Sequence, residues 1–249
     1  VHKELGIKSA HPYLSETVRP SIEGRGVYYV LKRMGDLFLA SLLLLVFLPV
    51  MVLIAIAIFV YSPGPIFFSQ ERVGARRIRM GKTYFWEQKN FRCYKFRTMK
   101  INADSSVHKD YVQALIHNDQ RKMSEIQGED TKIRKLLNDP RVIRPGKFLR
   151  KFSLDELPQL WNVLLGDMSM IGPRPAIPYE VEMYKPWYCR RLEAQPGITG
   201  LQQVKARCIT DFETQVRYDV EYVDNQSLWL DIKIALQTPL AVISGRGAG

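Results

Sequence analysis

A chain of 249 residues with 46% hydrophobic and 24% charged residues can build a real core, which argues against wholesale disorder. Its net charge of +11 favours polyanionic partners: nucleic acid, anionic lipid or phosphorylated small molecules. Cys93, Cys189 and Cys208 stand far apart, and His2, His11, His108 and His117 show no metal-ligand spacing, which argues against a zinc site or a disulfide framework and for a reducing compartment.

The sequence opens on Val1 rather than Met, which leaves room for a missing upstream domain. Residues 1–26, with Pro12, Pro20, Gly24 and Gly26, read as a tail or linker. Residues 27–61 read as a membrane unit, a short helix feeding the uncharged run Leu37–Tyr61. At 1.5 Å per residue that run makes about 37 Å of helix, enough for a hydrocarbon core of ~30 Å. It is too long for a signal-peptide core and no small-residue cleavage site follows it. Spanning helices carry cations mainly on one side, yet here both flanks are basic: Arg25, Lys32 and Arg33 before, Arg72, Arg76, Arg77, Arg79 and Lys82 after. Pro49 lies mid-run, without an amide hydrogen and crowding the carbonyl of Leu45. The preferred reading is a re-entrant hairpin broken at Pro49; a kinked spanning helix and a buried core helix stay open.

Residues 62–249 read as one domain on the near side of the membrane, α+β and mostly helical. SPGP at 62–65 is a turn, and IFFSQERVG, TYFW and FRCYKFRTM read as short strands separated by Gly74 and Gly81. Alternation puts Lys95 and Arg97 on one strand face, Tyr94 and Phe96 on the other. Ten cations between positions 71 and 100 face only Glu71 and Glu87. Beside a membrane each would gain about 1 kcal/mol near an anionic leaflet, although most charge runs are merely solvated. Residues 101–137 read as a polar helical insert with a modest apolar patch at Ala114, Leu115 and Ile116. Arg141, Arg144, Lys147, Arg150 and Lys151 crowd the stretch 139–152, and a helix is expected from near Ser153 to Leu165. Residues 228–243 are apolar but interrupted by Asp231 and Lys233, as an interfacial amphipathic helix or a core helix would be.

The sharpest constellation is SLDELPQLWNVLLGDMSMIGPRP at 153–175. The bland reading of S-L-D-E is a capping box in which Ser153 caps a helix and Glu156 reaches back. Pro158 fits that badly, because it would fall beyond the first turn and cost a hydrogen bond. The chemical reading gives the adjacent acids divided labour. Asp155 attacks phosphorus, and Glu156 helps hold a hard cation such as Mg²⁺. Arg174, between Pro173 and Pro175, has little backbone freedom and suits gripping a phosphoryl group.

The order membrane segment, SPGPIFFSQERVG, KFRTM, SLDELPQLWNVLLGDMSMIGPRP, QPGITGLQQV and SLWLDIKIALQT resembles the monotopic bacterial sugar transferases, the polyprenyl-phosphate glycosyl-1-phosphate transferases, over residues 27–248. The resemblance is closest to the larger exopolysaccharide and O-antigen initiating type. It implies a membrane helix re-entering at Pro49, an Asp155 nucleophile that carries a covalent phosphosugar, and a Glu156 associated with Mg²⁺. It places Lys95, Arg150 and Arg174 at positions tied to activity or phosphate contact, and Asp167 in a motif that supports the metal or the fold. Arg97 and Arg207 complete the expected substrate contacts. Where the family reads L-A-Q-V-N-G-R, this chain reads LQQVKAR, with Lys205 and Ala206 in place of Asn-Gly, so donor preference is open.

The implied reaction moves a sugar-1-phosphate from a UDP-sugar to undecaprenyl phosphate and releases UMP, at the cytoplasmic face of the bacterial plasma membrane. The implied partners are that donor, that acceptor, membrane lipids and a possible second copy of the chain as homodimer, without nucleic acid. Two alternatives stand beside it: direct transfer without a covalent intermediate, and a membrane-anchored binding or scaffold protein whose basic face holds anionic lipid or nucleic acid.

Overall fold

The computed structural model describes residues 25–101, 106–127, 141–206 and 211–243. The chain begins with helix α1, Gly26–Tyr61, 36 residues and about 54 Å long. The helix runs through Pro49 instead of ending there, so the hairpin expected from the sequence is not seen as two helices. Proline removes one hydrogen bond, and an apolar helix can absorb that loss. Within its most apolar 18-residue window only 11% is buried, which rules out a core helix. The helix is long and apolar enough to cross a membrane.

Both ends of α1 nevertheless rest on the same globular body. Near the start, the Arg33 guanidinium donates to the carbonyls of Val163 and Leu164 at 2.6 and 3.0 Å. Asp36 accepts from the Met170 amide at 3.0 Å. Ala40 packs with Phe91, Cys93, Leu160, Val163 and Met168. Beyond Pro49, Ile54 and Ile58 pack with Phe96, Ile143 and Leu149.

An antiparallel hairpin follows, β1 Phe67–Met80 and β2 Thr83–Phe96. The sequence suggested shorter strands broken at Gly74. The structure instead runs β1 straight through Gly74, opposite Lys89, because a Cβ there would press on the Phe91 ring at 3.0 Å. The true turn is at Gly81, whose φ of +64° a tight two-residue connection requires. Helices α2, Ser106–Ile116, and α3, Gln120–Gln127, form the described part of the insert. The insert is less superficial than its polarity suggests, since Tyr111, Val112, Ala114 and Ile116 are buried.

Helix α4, Arg144–Lys151, leads into a 3₁₀ turn, Leu154–Glu156, and then α5, Gln159–Leu165. Strand β3, Ser169–Ile171, pairs in parallel with β4, Gly197–Thr199. Between them lie α6, Pro178–Val181, and a second 3₁₀ segment, Pro186–Leu192. Helices α7, Leu201–Ala206, α8, Phe212–Asn225, and α9, Leu228–Ile243, complete the described chain. On α9, Ile234 is buried while Trp229, Ile232, Leu236 and Leu240 are exposed. Asp231, read from sequence as an interruption, is buried and accepts from Tyr28, Lys32 and Tyr222 at 3.0, 3.0 and 2.8 Å. It binds α9 to α1.

Candidate functional site

The site is built on the end of β2 and the turn before α5. Asn162, fully buried on α5, accepts from the Tyr94 amide at 3.0 Å and donates to the Arg92 carbonyl at 2.7 Å. A side-chain amide here stands in for a neighbouring strand and locks α5 against β2. The chain enters α5 through Ser153, whose φ of +56° is left-handed, and the 3₁₀ turn that carries the two acids. Ser153 makes no side-chain cap, so the capping-box reading of S-L-D-E fails. Pro158 takes the N-cap position of α5, which explains both its place in the sequence and the later start of the helix.

Asp155 and Glu156 are half-buried, open to solvent on one side. Glu156 pairs with Lys95 at 2.6 Å. Arg150 sits at the end of α4, its Nε donating to Thr98 Oγ1 at 3.0 Å and its carbonyl accepting from Ser153. Arg174 is exposed at the tip of its turn. The buried thiol of Cys93 senses this grouping. Burial pushes its pKa up, while the charges of Lys95, Arg72 and Arg174 act against that and Glu156 adds to it. Lys95, Glu156, Arg174 and Arg72 are thus all near enough to Cys93 for their charges to act on its thiol. The half-exposed acidic pair, with Lys95 on Glu156, suits a phosphorylated substrate.

Two expected members fall elsewhere. Arg97 shares the face of Lys95, but it is buried and its guanidinium donates to the hydroxyl and carbonyl of Ser62. It fastens the turn that ends α1. Asp167 lies at the opposite end of α5, paired with Lys89 at 3.7 Å. Lys89 is six residues from Lys95, about 20 Å along β2, so Asp167 and Glu156 are not brought together as ligands of one ion. Arg207 lies outside the described residues.

Among the described residues no group of three or more acidic, His or Cys side chains could hold a metal alone. The adjacent carboxylates of Asp155 and Glu156 still fit Mg²⁺, which takes one or two carboxylates and completes its shell with water and substrate phosphate. Sequence reasoning missed Asn162, Arg72 and Arg191. Each looks ordinary in the sequence and gains meaning only through partners more than 15 residues away.

Comparison with known proteins gives the family. The family described as bacterial sugar transferase matches residues 27–245. The chain is 39% identical over 218 residues to the undecaprenyl-phosphate galactose phosphotransferase of Salmonella typhimurium, covering 88% of this chain and 41% of that protein. It is 38% identical over 221 residues to the UDP-glucose:undecaprenyl-phosphate glucose-1-phosphate transferase of Escherichia coli, covering 86% and 40%. It is 36% identical over 217 residues to the exopolysaccharide production protein ExoY of Rhizobium meliloti, covering 87% of both. The chain thus spans about two fifths of the length of the first two relatives. With the family pattern running through α1, the acidic turn and α9 alike, the chain belongs to the bacterial sugar transferase family.

Proposed function

We propose that this chain transfers a sugar-1-phosphate from a UDP-sugar to undecaprenyl phosphate, beginning the assembly of a surface polysaccharide. The observation that carries the reading is the half-buried Asp155–Glu156 turn, whose Glu156 pairs with Lys95 and whose neighbours Leu154 and Leu157 pack with Ile54 and Ile58 of the long apolar helix α1. A carboxylate oxygen of Asp155 attacks the phosphorus bonded to the sugar. The bond from that phosphorus to the bridging oxygen breaks, and UMP leaves with the electron pair. An oxygen of the lipid phosphate then attacks the same phosphorus, and the bond to Asp155 breaks. Lys95, Arg150 and Arg174 steady the charge on the transferring group. Glu156 would hold Mg²⁺, which would supply charge neutralisation at the diphosphate.

Contacts at both ends of α1 with one body support a monotopic arrangement, in which both flanks of the helix stay on one side of the membrane. The cationic flanks and the exposed apolar side chains of α9 support placement on the cytoplasmic face of the plasma membrane.

The test is UMP release from UDP-glucose, UDP-galactose and UDP-N-acetylglucosamine with undecaprenyl phosphate, with and without chelator. One donor should turn over, and Asp155→Asn should abolish turnover in a protein that melts like the parent. Near-parental activity in that variant would reject Asp155 as nucleophile.

A further inference from the structure

The Pro-Arg-Pro turn poses a structural problem. Pro173 and Pro175 have no amide hydrogen, so the turn can be held only by its carbonyls and by the Arg174 amide. Every one of those handles is engaged. The Pro173 carbonyl accepts from the Gly197 amide at 2.9 Å. The Arg174 carbonyl accepts from Arg191 Nη2 at 3.4 Å, and the Pro175 carbonyl from Arg72 Nη1 at 3.0 Å. The next carbonyl, of Ala176, accepts from the Val73 amide at 2.8 Å. The Arg174 amide faces the carboxylate of Asp219.

Two of these donors are buried guanidinium groups, an expensive choice for a task that a neutral donor could perform. Arg191 is 5% exposed and forms an ion pair with Asp219, itself fully buried, while its Nη1 donates to Tyr184 Oη at 2.9 Å. Arg72 is 8% exposed, and its Nη2 donates to Gln70 Oε1 at 2.8 Å. Two cations lie behind the turn, and the Arg174 side chain emerges on the exposed side. Like charges repel, so a folded-back Arg174 guanidinium is disfavoured.

We propose that Arg72 and Arg191 are positioning residues, which grip successive carbonyls of the Pro-Arg-Pro turn and hold the Arg174 guanidinium outward, aimed at the phosphoryl group of the substrate. The proposal rests on the reading that Arg174 contacts that group. Neither buried arginine touches substrate. Both act through Arg174, and the fork of each matters more than its charge, because it must reach a carbonyl and a second partner at once.

The test is a set of double-substitution cycles in the full chain, read as UMP release with the most active donor of the panel above. Arg72→Met, Arg191→Lys and the milder Gln70→Leu are each combined with Arg174→Ala, and thermal unfolding is followed alongside. Each single variant should lose roughly 10- to 100-fold in kcat/KM, mainly in kcat, as small misplacement of a catalytic group does. In the Arg174→Ala background the same substitutions should cost nothing further. Losses that multiply with Arg174→Ala, or single variants of parental activity, would overturn the proposal alone. A fully active Arg174→Ala would instead remove the underlying role of Arg174, and the proposal with it. Should Arg191→Lys fail to fold, Arg72→Met and Gln70→Leu carry the same comparison.

Discussion

The Lys95–Glu156 pair shows how stability and chemistry separate at the scale of single residues. Its side chains are 26% and 34% exposed, so breaking the pair costs about 1 kcal/mol or less. The same ammonium sits among the charges that a transferring phosphoryl group would meet, where loss of one cation costs roughly 100-fold or more in rate. Lys95→Met should therefore unfold within a few degrees of the parent while losing at least that factor in UMP release. A parental rate would take Lys95 out of the site. Cys189 gives a pH prediction. Burial, helped by the charge of Glu193, raises its thiol from 9.0 to about 11. The folded state keeps its proton while the unfolded state loses it, so stability falls as pH rises from 9 towards 11. Cys189→Ala should flatten that fall in alkaline thermal melts. The acidic turn at Asp155 and Glu156 drew attention in the sequence because Pro158 sits badly in the capping box that S-L-D-E otherwise suggests, and the structure starts α5 only after that proline. Arg97 was misread because alternation reports which face a side chain takes, not which partner claims it: Ser62 does.

Among the secondary-structure elements, β3 and β4 place the Pro-Arg-Pro turn, and they meet through glycine. A Cβ built on Gly172 would run into the Gln195 carbonyl, and one on Gly197 into the Gly172 amide. Both obstacles are backbone and cannot swing aside. Gly172→Ala should lower the melting temperature sharply, by the equivalent of several kcal/mol, whereas Gly26→Ala meets nothing within 4 Å and should leave it unchanged or slightly higher. Equal melting temperatures for the two would contradict this close approach. The sequence announced the elements more clearly than their joints. The apolar run predicted a membrane helix and the aromatic and β-branched runs predicted short strands, yet Gly74 suggested a break where the backbone instead needs room for Phe91. Asn162, which replaces a strand partner for β2, carries no periodic signal at all.

For the molecule as a whole, the question is which side of the membrane each end of α1 occupies. Gly26 and Pro63 flank the roughly 54 Å of α1, yet the residues next to both ends of α1 rest on one body. Gly26→Cys and Pro63→Cys, in a background without other accessible thiols, should both resist an impermeant maleimide in intact spheroplasts and both react after permeabilisation. Reaction of Gly26→Cys alone in intact cells would establish a crossing helix. The sequence raised this topology through its two basic flanks, but only the long-range contacts of Arg33, Asp36 and Ile58 bring both flanks to one surface.

Those contacts also bear on any attempt to obtain a water-soluble catalytic fragment. Trimming the chain to start at residue 62 would strip the cover from Phe91, Met168 and Phe96 and leave Asp231 without its lysine. It would also release the carbonyls at the end of α5 that Arg33 occupies. The long apolar helix is thus one wall of the globular body's own interior, and a fragment without it would open that wall to water.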